Sequence, residues 1–105
     1  MNKNYELIFD KVVFKQLKKA GKNKEVKEIL RKMFDKVEEK GPLAGELLDS
    51  QLFLYEVKNI RPPLRLYYQV LEKSNQIKVF EFEMKTSALK QRKTIQKIKT
   101  KASET

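Results

Sequence analysis

The chain has 105 residues, 40% hydrophobic and 36% charged, with a formal charge of +10; this suits one domain (1–105) with a modest core and an affinity for nucleic acid, an anionic membrane or an acidic protein. Cysteine and histidine are absent, which excludes disulfides, thiolate chemistry, the commonest general base and the commonest zinc ligand. No apolar run approaches the ~20 residues of a membrane helix, and the start MNKNYELIFDK carries charges within its short apolar stretch, unlike a signal peptide; a cytoplasmic protein is expected, with no membrane association, metal or small-molecule cofactor.

Tyr5–Phe9 is a β-prone run. Asp10 can cap a helix starting at Lys11, where Val13, Leu17 and Ala20 recur at helical spacing. Gly21 and Asn23 interrupt it. A second helix is expected from Lys24 to Glu39, with Val26, Ile29, Leu30, Met33, Phe34 and Val37 on one apolar stripe. Gly41–Pro42 stops it. Leu43–Gln51 reads as a connector, with room for a helical turn.

Three strands follow. Phe53, Tyr55 and Val57 alternate in the first, and Asn59–Pro63 makes a loop that tolerates its proline pair. Leu64, Leu66, Tyr68 and Val70 alternate in the second, and Glu72–Asn75 turns the chain. Lys78, Phe80, Phe82 and Met84 share one side of the third, with Ile77, Val79, Glu81 and Glu83 on the other. Period-two alternation sends these apolar sets toward the helices. The other face then carries Glu56, Lys58, Arg65, Tyr67, Glu81, Glu83 and Lys85. A last helix is expected over Ala88–Ala102, with a thin stripe of Ala88, Leu89, Ile95, Ile98 and Ala102 and a basic remainder; Ser103–Thr105 should fray. The expected fold class is α+β: a small, antiparallel-dominated sheet with two N-terminal helices on one face, an open polar face flanked by a C-terminal basic helix, and the order β-α-α-β-β-β-α.

The polar face has two readings. Alternating Lys and Glu on neighbouring strands is also how plain solvated sheets look. Yet the face suits RNA cleavage, which needs no protein nucleophile because the substrate's 2′-hydroxyl can attack the adjacent phosphate. The protein must then hold the backbone in line, stabilise the phosphorane and assist proton transfer. Arginine's planar fork fits the phosphorane, lysine adds charge, a carboxylate or a lysine can move protons, and tyrosine can stack on a base.

YELIFD at 5–10, LYEVK at 54–58, RLYYQV at 65–70 and IKVFEFEMKTSALKQ at 77–91 resemble the RelE/ParE superfamily of toxins from toxin–antitoxin systems, the last stretch looking most like the HigB-type branch. The resemblance implies an mRNA interferase: an endoribonuclease that cuts messenger RNA on the ribosome, arrests growth and is blocked by a cognate antitoxin. By the same resemblance, Arg65, Lys85, Lys58 and Glu83 form the expected catalytic set. The expected RNA contacts are Lys58, Arg61, Tyr67, Lys90, Arg92 and Lys93. Some members place a His, or a Tyr near the C-terminus, in the proton-transfer role. This chain has no His and no Tyr after Tyr68, so Lys85, Glu83 or Gln91 would substitute. ParE-like members bind DNA gyrase and need no catalytic set, and a degenerate member would only bind nucleic acid or its antitoxin.

Overall fold

The computed structural model describes residues 4–84 and 87–104. Strand β1 (Glu6–Phe9) leads into helices α1 (Lys11–Ala20) and α2 (Lys24–Lys40). Each helix starts where a short polar side chain satisfies an orphan amide. Asp10 accepts from the Val12 N–H at 3.0 Å, and Asn23 accepts from the Val26 N–H at 3.1 Å. Four strands follow: β2 (Glu46–Asp49), β3 (Leu54–Asn59), β4 (Leu64–Leu71) and β5 (Gln76–Met84). Helix α3 (Ala88–Ser103) closes the order, capped by Ser87, whose hydroxyl accepts from the Lys90 N–H at 3.1 Å.

The strands form one sheet in the order β1-β5-β4-β3-β2. Only the β1–β5 pair is parallel. The α+β class and the two N-terminal helices on one face are as expected. The connector at Leu43–Gln51 is corrected: a 3-10 turn at Gly41–Leu43 leads into it, and it contains strand β2. This edge strand is four residues long, half exposed, and slips register between Leu47 and Asp49, so it never develops an alternating pattern.

Helices α1 and α2 pack Val13, Val26, Leu30, Met33 and Val37 on one sheet face, against Val57, Leu66, Tyr68, Val70, Ile77, Val79 and Phe82. The opposite face is not open. Helix α3 lies across it, and Ile98 and Ala102 pack on Leu54, Tyr67 and Phe80. The expected stripe on α3 shifts accordingly. Ala88 and Leu89 are exposed, and Thr94, Ile98 and Ala102 are buried. Ser103, expected to fray, is the last helical residue, and Thr105 lies outside the described residues.

A bulge in β5 explains another correction. Tyr67 pairs with Glu81 and Tyr68 with Val79, leaving Phe80 as the extra residue. One inserted residue reverses the facing of everything after it. Ile77 and Val79 therefore face α1 and α2, not the polar side. Phe80 joins the α3 face, and Phe82 returns to the α1–α2 core. Phe53, expected to point inward, ends the β2–β3 turn at φ 53° and is exposed. Among the described residues no helix is long and apolar enough to cross a membrane.

Candidate nucleic-acid interface

The register of the central strands assembles the site. Lys58 pairs with Arg65, and Arg65 with Glu83, across β3, β4 and β5. The next rung is Glu56–Tyr67–Glu81. Six of the seven residues expected on one polar face thus share the α3 side. Lys85, the seventh, lies outside the described residues.

Glu56 organises the cationic end. Its side chain is 3% exposed, and Oε1 accepts from Arg65 at 3.0 Å. Oε2 accepts from the Gln91 amide of α3 at 3.1 Å. Lys58 Nζ stands 3.9 Å from Glu56 and from the exposed Glu46. A buried carboxylate needs such partners, because desolvation would otherwise disfavour its charge. Arginine carries five N–H donors in a planar fork. Glu56 occupies part of that fork and fixes its orientation, while the Arg65 side chain stays 33% exposed.

The carboxylate end is hydrogen-bonded, and Glu81 and Glu83 line a cleft beside α3. Glu83 is buried, and its two oxygens accept from the Tyr67 hydroxyl and the Thr94 hydroxyl, each at 2.7 Å. Tyr67 is fully buried, so its ring presents no face to a base. Burial, followed by the bond to Glu83, pushes its phenol far above the ordinary value. In this arrangement Glu83 and Tyr67 anchor α3.

Further along the helix, Lys97 lies 2.9 Å from Glu81, Lys99 3.7 Å from Asp49, and Lys101 3.4 Å from Asp10. Burial acts to raise the Asp10 carboxyl, but the Val12 N–H and Lys101 outweigh it and hold it below its ordinary value. The expected basic surface of α3 is therefore divided. Its later lysines neutralise Glu81 and Asp49 on the sheet and Asp10 at the start of α1. Lys90, Arg92 and Lys93, in the first turns, are exposed and in no ion pair among the described residues. Lys90 borders a cleft of about 540 Å³ between α1, α2 and α3, floored by Phe82 and Met84. Arg61 is exposed on the β3–β4 loop.

Thr94 is the residue that sequence reasoning missed. Its signal was the three-residue spacing Gln91, Thr94, Lys97, which places three polar groups above Glu56, Glu83 and Glu81. Among the described residues, no group of three or more carboxylates, histidines or cysteines is placed to hold a metal ion. Chemically, the site offers an oriented arginine beside a lysine at the mouth of a sheet face, with the neighbouring buried carboxylates already engaged.

No protein-family model matches the sequence, and no curated protein matches it either. Solved structures do. The isolated E. coli RelE toxin is 24% identical, with 90% of this chain and 98% of that chain covered at a TM-score of 0.66. RelE in the intact E. coli RelBE toxin–antitoxin complex is 26% identical over 79% of this chain and 99% of that one, at 0.65. An arginine-to-alanine mutant of E. coli RelE bound to a peptide of the antitoxin RelB is 25% identical over 88% and 94%, at 0.68. The chain has the fold of the RelE/ParE superfamily.

Proposed function

We propose that this chain is the toxin of a type II toxin–antitoxin system and cuts messenger RNA on the ribosome. The RelE fold and the complexes its structural neighbours form with an antitoxin support the toxin reading. One observation carries the cleavage reading: Arg65 is oriented by a buried carboxylate at 3.0 Å, stays partly exposed, and stands beside Lys58.

The substrate's 2′-hydroxyl oxygen attacks the adjacent phosphorus, and the bond to the 5′-oxygen breaks. The products are a 2′,3′-cyclic phosphate and a 5′-hydroxyl end. The proton lost by the 2′-hydroxyl is balanced by the one gained at the 5′-oxygen. Arg65 pairs with the non-bridging oxygens, whose charge grows in the phosphorane. Lys58 and Lys85 add positive charge, and Lys90, Arg92 and Lys93 hold flanking phosphates. Glu56 and Glu83 are committed to other groups, so catalysis here is mainly positional and electrostatic. The partner that silences it is an antitoxin of complementary, acidic character, and the site of action is the cytoplasm.

The engagement of Glu83 by Tyr67 and Thr94 favours a second reading, a ParE-like toxin that binds DNA gyrase and cleaves nothing. One experiment separates the two. Wild type, Arg65→Ala and Arg65→Lys are expressed in a bacterial host while messenger integrity and plasmid supercoiling are followed. Wild type should arrest growth and cut messages. Arg65→Ala should fold yet lose about 10²-fold or more of the cleavage, and Arg65→Lys should not restore it, because a point charge replaces the fork. Growth arrest with intact messages and relaxed plasmids would establish the gyrase reading instead.

A further inference from the structure

Two shallow hollows of about 480 and 400 Å³ lie between α2 and the β3 edge of the sheet. They share Lys36, Val57 and Lys58, and so form one continuous groove. Its cations are Lys32 and Lys36 from α2, Lys58 from β3 and Arg61 from the following loop. All four are exposed. Among the described residues, Lys32, Lys36 and Arg61 are in no ion pair. The acids of the groove are Glu56, buried on Arg65, and the exposed Glu46, each 3.9 Å from Lys58. Asn59 donates to the Pro62 carbonyl at 2.9 Å and braces the loop that carries Arg61. Ile60 stands 81% exposed beside it.

We propose that this groove holds the RNA backbone flanking the phosphate at Arg65. The inference rests on the RNA reading above and extends it to residues outside the sheet face. Lys58 is the joint, since it lines the groove and pairs with Arg65 across the strands. A phosphodiester chain crossing Arg65 therefore continues past Lys58 onto Lys36, Lys32 and Arg61, cations that are in no ion pair among the described residues. Lys32 and Lys36 are one helical turn apart and present neighbouring point charges on one face. Lysines on flexible stems grip phosphate without reading sequence. The exposed Ile60 offers an apolar surface to a sugar or a base. An acidic peptide would satisfy the same charges, and the test includes it.

The probe is a fully 2′-O-methylated oligonucleotide, which has no free 2′-hydroxyl and cannot be cut. Its binding to wild type, Lys32→Gln/Lys36→Gln and Arg65→Ala is followed by fluorescence anisotropy across salt concentrations. Glutamine keeps the helix propensity of the two exposed sites. Each phosphate contact on a single strand contributes about 0.7 to the slope of log affinity against log salt. The double variant should therefore lose about 1.4 from that slope, and Arg65→Ala about 0.7. A wild-type slope in the double variant, with the oligonucleotide still bound, overturns the groove and leaves the RNA reading standing. The same slope together with weakened binding of an acidic antitoxin peptide also overturns it and gives the groove to protein. Absence of oligonucleotide binding by wild type overturns the RNA reading and the inference together.

Discussion

Gly41 shows how much one residue can hold. It ends α2 at φ 53° and ψ −120°, a region that residues with a side chain rarely enter. A β-carbon there would lie 2.3 Å from the Tyr5 ring, and the Gly41 carbonyl accepts from the Tyr68 hydroxyl at 2.9 Å. Gly41→Ala should cost about 1–3 kcal/mol from the backbone alone, read as a lower urea midpoint; a wild-type midpoint would refute this. The buried tyrosines set a second expectation. Burial first, and then Glu83, raise Tyr67 above its ordinary 10.0, and burial raises Tyr68 as well. A raised phenol contributes stability that is complete below the unfolded value and lost as pH climbs through the folded one. Stability should therefore fall above about pH 10, and the fall should be shallower in Tyr67→Phe, measured as urea midpoint against pH. The same slope in both proteins would show that Tyr67 ionises freely.

At the scale of the element, α3 is held by polar groups as much as by apolar ones. Gln91, Thr94 and Lys97 rise at three-residue intervals above Glu56, Glu83 and Glu81. Thr94→Val keeps the shape and removes a donor from a buried carboxylate, at a cost of about 1–3 kcal/mol. Thr94→Ser should retain most of the stability, and equal midpoints for all three proteins would refute the contact. The helices were legible in the sequence because their stripes and caps are local: Asp10, Asn23 and Gly41 mark their own boundaries. Strand β2 was not, since ELLD at 46–49 shows no alternation. The facing of Phe80 and Phe82 was not either. The bulge beside Tyr67 exists only in the pairing of β4 with β5, and a single strand carries no trace of it.

Across the whole molecule, the formal charge of +10 is distributed unevenly. The last turns of α3 spend their lysines on acids of the same chain. Among the described residues, exposed cations in no ion pair lie at its first turns, along α2 at Lys32 and Lys36, at Arg61, and also on α1 and the start of α2 at Lys11, Lys15, Lys18, Lys19, Lys24 and Lys27. Of the candidate site, the cross-strand row of Lys58, Arg65 and Glu83 followed from period-two alternation. The closure of the face by α3 did not, because a helix rich in lysine reads as solvated until the acids beneath it are known. One side chain bears on how the edge of the sheet is closed. Strand β1 ends at Phe9, beside Val79, and past that point one side of β5 would be bare main chain. The Gln16 amide donates to the Phe82 carbonyl at 2.8 Å and accepts from the Phe82 N–H at 3.0 Å. It works as a strand one residue long, taking the two main-chain groups that a further strand would need for edge-to-edge pairing, so a single glutamine side chain closes this stretch of the sheet edge.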